Sequence, residues 1–276
     1  MSWWAVDFST TREQRDALAA WLVGRSGQAI EERDDGTLVS FAPDHAAAMA
    51  LIAEAQQTCG YAVTGAAREL PEIDWSTRWR DGIEPRHVGR LTVVPSWVDA
   101  TPFAGQVIVT IDPETAFGSG EHGSTRAALA LLERLLEPED VVVDFGSGSG
   151  ILAIAAARLG AARATGIEID AEANAVAARN AETNGVSDRC TFLDGDAGSL
   201  GPLLGPADLV VSNILRTVNT ELLGAITRTL RPGGIAIFSG MEDAEEALFR
   251  SALALAGFDV VRDTHDAGWW AVAARV

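Results

Sequence analysis

Two rhythms of apolar and polar positions run along the chain. Up to about residue 68 the apolar segments are short. Residues 3–8 read as a strand, and Ala17, Leu18, Trp21 and Leu22 recur at helical spacing behind Thr10-Thr11-Arg12-Glu13, which offers a capping box. Strands are expected at 29–32 and 37–41 around the turn Asp34-Asp35-Gly36. Asp44 stands where it caps an alanine-rich helix running to about Thr58, and 61–66 reads as a last strand. The order β-α-β-β-α-β is the ferredoxin-like pattern, so residues 1–68 are expected to form a small α+β domain. It carries no catalytic signature, which makes a binding module the natural expectation.

Residues 69–90 are polar, with Pro71, Pro85 and an i, i+4 pair of tryptophans, Trp75 and Trp79, on a short helix. A helical linker fits them. The rhythm changes at about residue 91. Strands at 91–94 and 106–111 lead to a glycine-rich loop at 116–123 and a helix at 124–136. Strands at 141–145, 164–167, 190–193, 209–212 and 235–239 then alternate with helices at 151–159, 171–183, 218–230 and 244–256. Pro232-Gly233-Gly234 reads as a tight turn before the fifth of these strands. Two closing strands, 259–263 and 270–274, end the chain. Residues 91–276 therefore predict an α/β domain, a Rossmann-like, doubly wound sheet with an antiparallel end.

The candidate chemistry sits at strand ends. Val141-Val142-Val143-Asp144 runs into Gly146-Ser147-Gly148-Ser149-Gly150 and then a helix. Glycines let a backbone turn sharply and approach a ligand, and open α/β sheets bind ligands past the carboxyl ends of their strands. Gly148-x-Gly150-x-x-Ala153 can be fitted to a dinucleotide pattern. The spacing D-x-G-x-G-x-G, with its acid on the strand, looks instead like the donor-binding motif of class I methyltransferases. The next strand ends at Glu168, about 20 residues on, where a carboxylate can accept two hydrogen bonds from a ribose diol. An exposed Glu168 beside a helix-capping Asp170 is the plainer alternative. Asp196, in Asp194-Gly195-Asp196-Ala197, is the candidate acid for an adenine amino group. Asn213 ends the fourth strand. Its carboxamide oxygen can accept from an amine and aim its lone pair, or the residue merely caps the following helix.

Composition narrows the function. The chain has 276 residues, 47% of them hydrophobic, enough for a sizeable core. No apolar run approaches the roughly 18 residues of a membrane span, and no basic residue precedes an apolar stretch near Met1, so neither membrane nor signal peptide is expected. Two distant cysteines, Cys59 and Cys190, suit a reducing cytoplasm. The net charge of −18 argues against direct nucleic-acid binding and suits either a basic partner or plain solubility in an acidic or high-salt proteome. All 21 basic residues are arginine, so the chain offers no lysine amine. The four histidines are scattered and suggest no metal site.

Taken in order, these residues resemble the ribosomal protein L-eleven (L11) methyltransferase family over the whole chain. The resemblance rests on Asp34-Asp35-Gly36-Thr37-Leu38-Val39, Asp74-Trp75 with Trp79-Arg80, Gly89-Arg90-Leu91 with Pro95-Ser96-Trp97, and Asp112-Pro113. It continues through Ala116-Phe117-Gly118-Ser119-Gly120-Glu121-His122-Gly123-Ser124-Thr125, Gly148-Ser149-Gly150-Ile151-Leu152-Ala153-Ile154 and Asn213-Ile214-Leu215. It implies a ferredoxin-like substrate-recognition domain (1–68), a linker (69–90) and a class I methyltransferase domain (91–276). It implies methyl transfer from S-adenosyl-L-methionine to lysine and N-terminal amines of large-subunit ribosomal protein L11, without a metal. Asn213 would orient the amine. Phe117 and Thr125 would belong to a loop folded over the donor, and Asp144, Gly146, Ser147, Gly148, Gly150, Glu168 and Asp196 would join Asn213 in binding it. Trp270 is a candidate wall of the substrate channel. Where the family carries Pro-Thr-Thr after the histidine, this chain has Gly123-Ser124-Thr125, and the glycine is expected to loosen the loop. Ser147 replaces a cysteine and Glu168 the commoner aspartate. The alternatives are a methyltransferase of another protein's lysines, an NAD-dependent oxidoreductase, or a non-catalytic scaffold for a ribosomal protein.

Overall fold

The computed structural model describes residues 3–26, 30–33, 35–60, 62–69, 84–102, 104–112 and 117–276. The tryptophan pair Trp75 and Trp79, and with it most of the expected linker, lies outside the described residues. The chain divides into two compact units, Met1–Gly82 and Ile83–Val276.

The first unit runs β1 (Trp4–Ser9), α1 (Arg15–Ser26), β2 (Glu31–Glu32), β3 (Leu38–Ala42), α2 (His45–Cys59) and β4 (Thr64–Glu69). Its sheet has the order β2-β3-β1-β4 with every pairing antiparallel, which is the ferredoxin-like arrangement. Phe8, Leu18, Leu22, Leu38, Ile52 and Ala55 form its core. Asp44 caps α2 as expected, accepting from the Ala47 amide at 2.8 Å. A cap of this kind contributes about 1 kcal/mol. The capping box at Thr10 does not form. A turn from Gln14 N to Thr11 O delays α1 to Arg15, and the Thr10 hydroxyl bonds Gln14 instead.

The second unit opens with a small sheet of its own, β5 (Arg86–Val88), β6 (Leu91–Val94) and β7 (Val107–Thr110). Helix α3 (Gly123–Leu135) follows. Then come β8 (Val141–Phe145), α4 (Ile151–Leu159), β9 (Arg163–Glu168), α5 (Ala171–Thr183), β10 (Cys190–Asp194), α6 (Ala197–Leu204), β11 (Ala207–Asn213) and α7 (Arg216–Thr229). The unit closes with β12 (Leu230–Glu242), α8 (Glu246–Leu255), β13 (Asp259–Asp266) and β14 (Trp269–Arg275). Seven strands form one sheet in the order β10-β9-β8-β11-β12-β14-β13. The first five are parallel, and β14 is antiparallel to both neighbours.

Strand alternation separates two cores. Val142, Ile237, Ala271 and Ala273 pack with α3 and α4, whereas Val143, Phe238, Trp270 and Val272 pack with α7 and α8. Ile151–Ala157 of α4 are all buried, so that helix is apolar on every side. Helix α6 has no counterpart in the expected elements, because Gly198, Gly201 and Pro202 interrupt its pattern. The turn expected at Pro232-Gly233-Gly234 lies inside β12. Pairing steps from Ala207↔Leu230 to Leu209↔Ile235, so these residues bulge out of the ladder. The strand order reverses between β9-β8 and β11-β12, which places a crevice beyond the ends of β8 and β11.

Candidate active site

A cavity of about 500 Å³ opens in that crevice. The glycine loop after β8 forms one end, through Gly146, Ser147 and Gly148, together with Glu168 from the end of β9. Asn213, Ile214 and Leu215 after β11, Val218 of α7, and His122 and Trp269 form much of the rest, and Phe117 lines it too.

The glycine loop is shaped by its contacts. Ile167 O accepts from the amides of Gly146 (2.8 Å) and Ser147 (3.2 Å). Gly148 has φ +51, and a Cβ there would lie 2.6 Å from Phe117 O, so no other residue fits without moving the covering segment. That segment is latched to the loop through Ser149, whose amide donates to Phe117 O (2.9 Å) and whose hydroxyl donates to Gly118 O (2.6 Å). Two asparagines one turn apart, Asn180 of α5 and Asn184 at its C-cap, hold the approach. Asn180 Nδ2 donates to Ser149 O at 3.0 Å, and Asn184 exchanges two hydrogen bonds with the Thr110 backbone.

Glu168 is tied into the loop rather than simply exposed. Its carboxylate accepts from the amides of Gly148 (3.0 Å), Ile169 (2.8 Å) and Asp170 (3.1 Å). A carboxylate offers about four acceptor sites. Three are in use, and the remaining capacity is open to a ribose hydroxyl. Asp170 caps α5 through the Glu172 amide, as the plainer alternative had it.

Asp144 is fully buried, and neither carboxylate oxygen has a hydrogen-bond partner. Burial, and then the charge of Glu168, push its pKa up to about 7; the Ala153 amide opposes this without making a formal hydrogen bond. The Ser147 hydroxyl and Asn213 Oδ1 are likewise buried without partners. Unsatisfied polar atoms beside a glycine cradle fit a polar ligand. The residues suited to hold a methyl donor are therefore Gly146, Ser147, Gly148 and Glu168.

At the other end Asn213 Nδ2 donates to the buried Thr125 hydroxyl at 3.3 Å. Asn213 is no helix cap: Leu215 holds the N-cap position of α7, with no side-chain capping bond. Asn219, which the sequence reading missed, braces this corner. It accepts from Ser212 Oγ (2.7 Å) and donates to Ile214 O (2.9 Å) and Ser239 O (3.0 Å). Its signal is a fully buried polar residue within α7.

Asp196 is exposed and caps α6, accepting from the Ser199 amide (2.8 Å) and hydroxyl (2.7 Å), and it lies outside the lining of the cavity. One expectation needs correction. Trp270 is core, with its indole donating to Asp263 at 3.1 Å, and its neighbour Trp269 lines the cavity instead. Gly123 also behaves differently from a loosening residue. A Cβ there would meet Asp266 O at 2.5 Å and Trp269 Cδ1 at 2.8 Å, so the missing side chain lets β13 and β14 close on α3. Arg126 strengthens that contact with a two-pronged pair to Asp266 (2.9 and 2.6 Å).

The family model described as Ribosomal protein L11 methyltransferase (PrmA) matches residues 2–276. The chain belongs to this family. A ribosomal protein L11 methyltransferase of Pelotomaculum thermopropionicum is 40% identical over 79% of this chain and 70% of the relative. One from Deinococcus radiodurans is 34% identical over 97% of this chain and 96% of the relative. A crystal structure of a ribosomal protein L11 methylase from Lactobacillus delbrueckii subsp. bulgaricus superposes with a TM-score of 0.64 at 32% identity, covering 70% of this chain and 98% of that one. As a family member the chain is an S-adenosylmethionine-dependent methyltransferase, and its larger unit is a class I methyltransferase fold. Nothing in these comparisons favours the oxidoreductase or the scaffold. No helix among the described residues is long and apolar enough to cross a membrane.

Proposed function

We propose that this chain methylates amines of ribosomal protein L11, lysine side chains and the N-terminal α-amine, in the cytoplasm. The observation that carries the reading is Asn213. Its amide nitrogen engages Thr125, while its oxygen is left without a donor at the wall of the cavity. An amine nitrogen is a donor of the kind that oxygen lacks.

S-adenosylmethionine supplies an electrophilic methyl group on a sulfonium. The protein's part is to position the acceptor and keep it neutral. Lysine has an unperturbed pKa of about 10.4 and an α-amine about 7.7–8.0, so a free lysine is almost wholly charged at neutral pH. Ile214, Leu215, Val218 and Trp269 make an apolar approach that disfavours the charged form. Asn213 orients the neutral amine but is no base, so the proton leaves to water. Asn219 fixes Ile214 and thereby the turn that carries Asn213. Residues 1–68 serve as the recognition module, which their ferredoxin-like sheet and their lack of any catalytic constellation support.

The test is incubation of the protein with labelled S-adenosylmethionine and purified L11, followed by mapping of the label. Label on L11 amines is expected. Label only on other proteins, or none, would refute the substrate. Deleting residues 1–68 should abolish L11 methylation with donor binding retained; full-rate methylation by the shortened chain would refute the recognition role.

A further inference from the structure

The sulfonium chemistry leaves the number of methyl groups open, and three aromatic rings bear on it. Phe117, His122 and Trp269 line the same cavity as Asn213. The rings stack in series: Phe117 meets His122 edge to face at 5.4 Å between centroids, and His122 meets Trp269 at 4.3 Å with a tilt of 58°. His122 is held in turn by the Ser124 hydroxyl at 2.7 Å from Nδ1. Gly123 is what admits Trp269, since a Cβ there would lie 2.8 Å from the indole. Among the described residues the only carboxylate on the cavity wall, Glu168, sits at the donor end.

Each transfer forms one nitrogen–carbon bond and breaks the donor's sulfur–carbon bond, whose electron pair stays on sulfur. The nitrogen then sheds a proton to water before the next transfer. Every methyl added removes an N–H donor from the product ammonium and thins its hydration. Asn213 can hold an amine that still has hydrogens and has nothing to offer one that has none. Aromatic faces attract a cation within about 6 Å of the ring whether or not it carries hydrogens, and methylated ammonium groups suit them best.

Building on the methyltransferase reading above, we propose that Phe117, His122 and Trp269 form an aromatic collar that retains the partly methylated amine, so that these residues set how many methyl groups each acceptor receives. The donor is exchanged at the glycine loop while the acceptor stays against the rings. Phe117 is 58% exposed, which leaves the collar open to water for the departing protons.

The experiment uses the full chain, L11 and S-adenosylmethionine. Intact-mass spectrometry counts acceptors with one, two and three methyl groups at matched extents of total transfer. Trp269→Leu and Phe117→Leu remove the π faces at a half-buried and an exposed ring, and Trp269→Phe restores one. The wild-type chain should add several methyl groups per acceptor. Both leucine variants should shift the product toward the singly methylated form, lowering the second-to-first rate ratio about threefold to tenfold, the range for a partly desolvated cation–π contact. Trp269→Phe should recover most of the ratio. Donor calorimetry reports folding, and for Trp269→Leu the preference for S-adenosylmethionine over its demethylated product should be unchanged. The collar is overturned if the wild-type chain stops at one methyl group or if both leucine variants keep the wild-type distribution. It is also overturned if Trp269→Leu loses the preference for the charged donor, which would assign that ring to the sulfonium. A wild-type chain that transfers nothing to L11 removes both the collar and the substrate reading, whereas transfer with an unaltered distribution removes the collar alone.

Discussion

Asp144→Asn should make the protein progressively more stable relative to wild type as pH rises from acid to alkaline. The unfolded side chain has a pKa of about 3.9. In the folded protein it is raised to about 7, mainly by complete burial without a hydrogen-bond partner. Below about pH 4 both states hold the proton, and the group contributes nothing to the pH dependence. Between about pH 4 and 7 the unfolded chain loses the proton while the folded one keeps it. Stability therefore falls as pH rises, by roughly 1.4 kcal/mol per unit. Above pH 7 the penalty levels off at about 4 kcal/mol. Asparagine has the same shape and no charge to bury. Its unpaired amide adds a cost that does not vary with pH, so the slope carries the signal and the offset does not. Urea unfolding of both forms should show the variant gaining about 2 kcal/mol relative to wild type between pH 5.5 and 8. A difference that stays flat across this range would refute the buried, unpaired state of Asp144.

Other substitutions probe the rest of the site. Glu168→Ala should weaken donor binding by roughly 1.5–3 kcal/mol in calorimetry, the range for hydrogen bonds to a charged group; unchanged affinity would return Glu168 to a purely structural role in the loop. Asn213→Ala should depress kcat far more than donor affinity, because it removes orientation of the acceptor. Normal turnover with weaker donor binding would move Asn213 to the donor pocket. Gly123→Ala should cost about 1–3 kcal/mol of stability, because its Cβ would meet Asp266 O at 2.5 Å; an unchanged melting temperature would show that α3 and β14 have slack between them.

The sheet and its donor loop were legible because buried parallel strands read as apolar runs and the glycines sit at a strand end. The expected helices at 151–159 and 171–183 match α4 (Ile151–Leu159) and α5 (Ala171–Thr183). What was hidden has physical causes. Trp269 and Trp270 are adjacent on one strand, so they face opposite sides, and only packing decides which is core. The cap that Asp196 supplies was hidden because α6 was invisible: a helix containing two glycines and a proline has too weak a pattern to announce it. Gly123 read as flexibility because sequence shows the missing side chain and not the indole that takes its place.

Charge acts on this protein at two scales with opposite requirements. The chain carries −18 overall, which attracts a positively charged substrate protein over distances beyond contact. Transfer itself needs a neutral amine, and negative charge beside the acceptor would hold its proton on. The cavity resolves the conflict by composition. Among the described residues its one carboxylate, Glu168, stands at the donor end and accepts from three backbone amides, while Asn213, Ile214, Leu215, Val218 and Trp269 bring no formal charge. Encounter and chemistry should therefore separate in their response to salt. The Debye length shortens from about 10 Å at 0.1 M to about 3 Å at 1 M, so raising ionic strength in this range should lower kcat/KM for the protein substrate and leave kcat nearly constant. Steady-state rates with donor saturating measure both. A kcat that falls in step with kcat/KM would mean that surface charge reaches the reacting amine, and a kcat/KM indifferent to salt would mean that the acidity plays no part in capture.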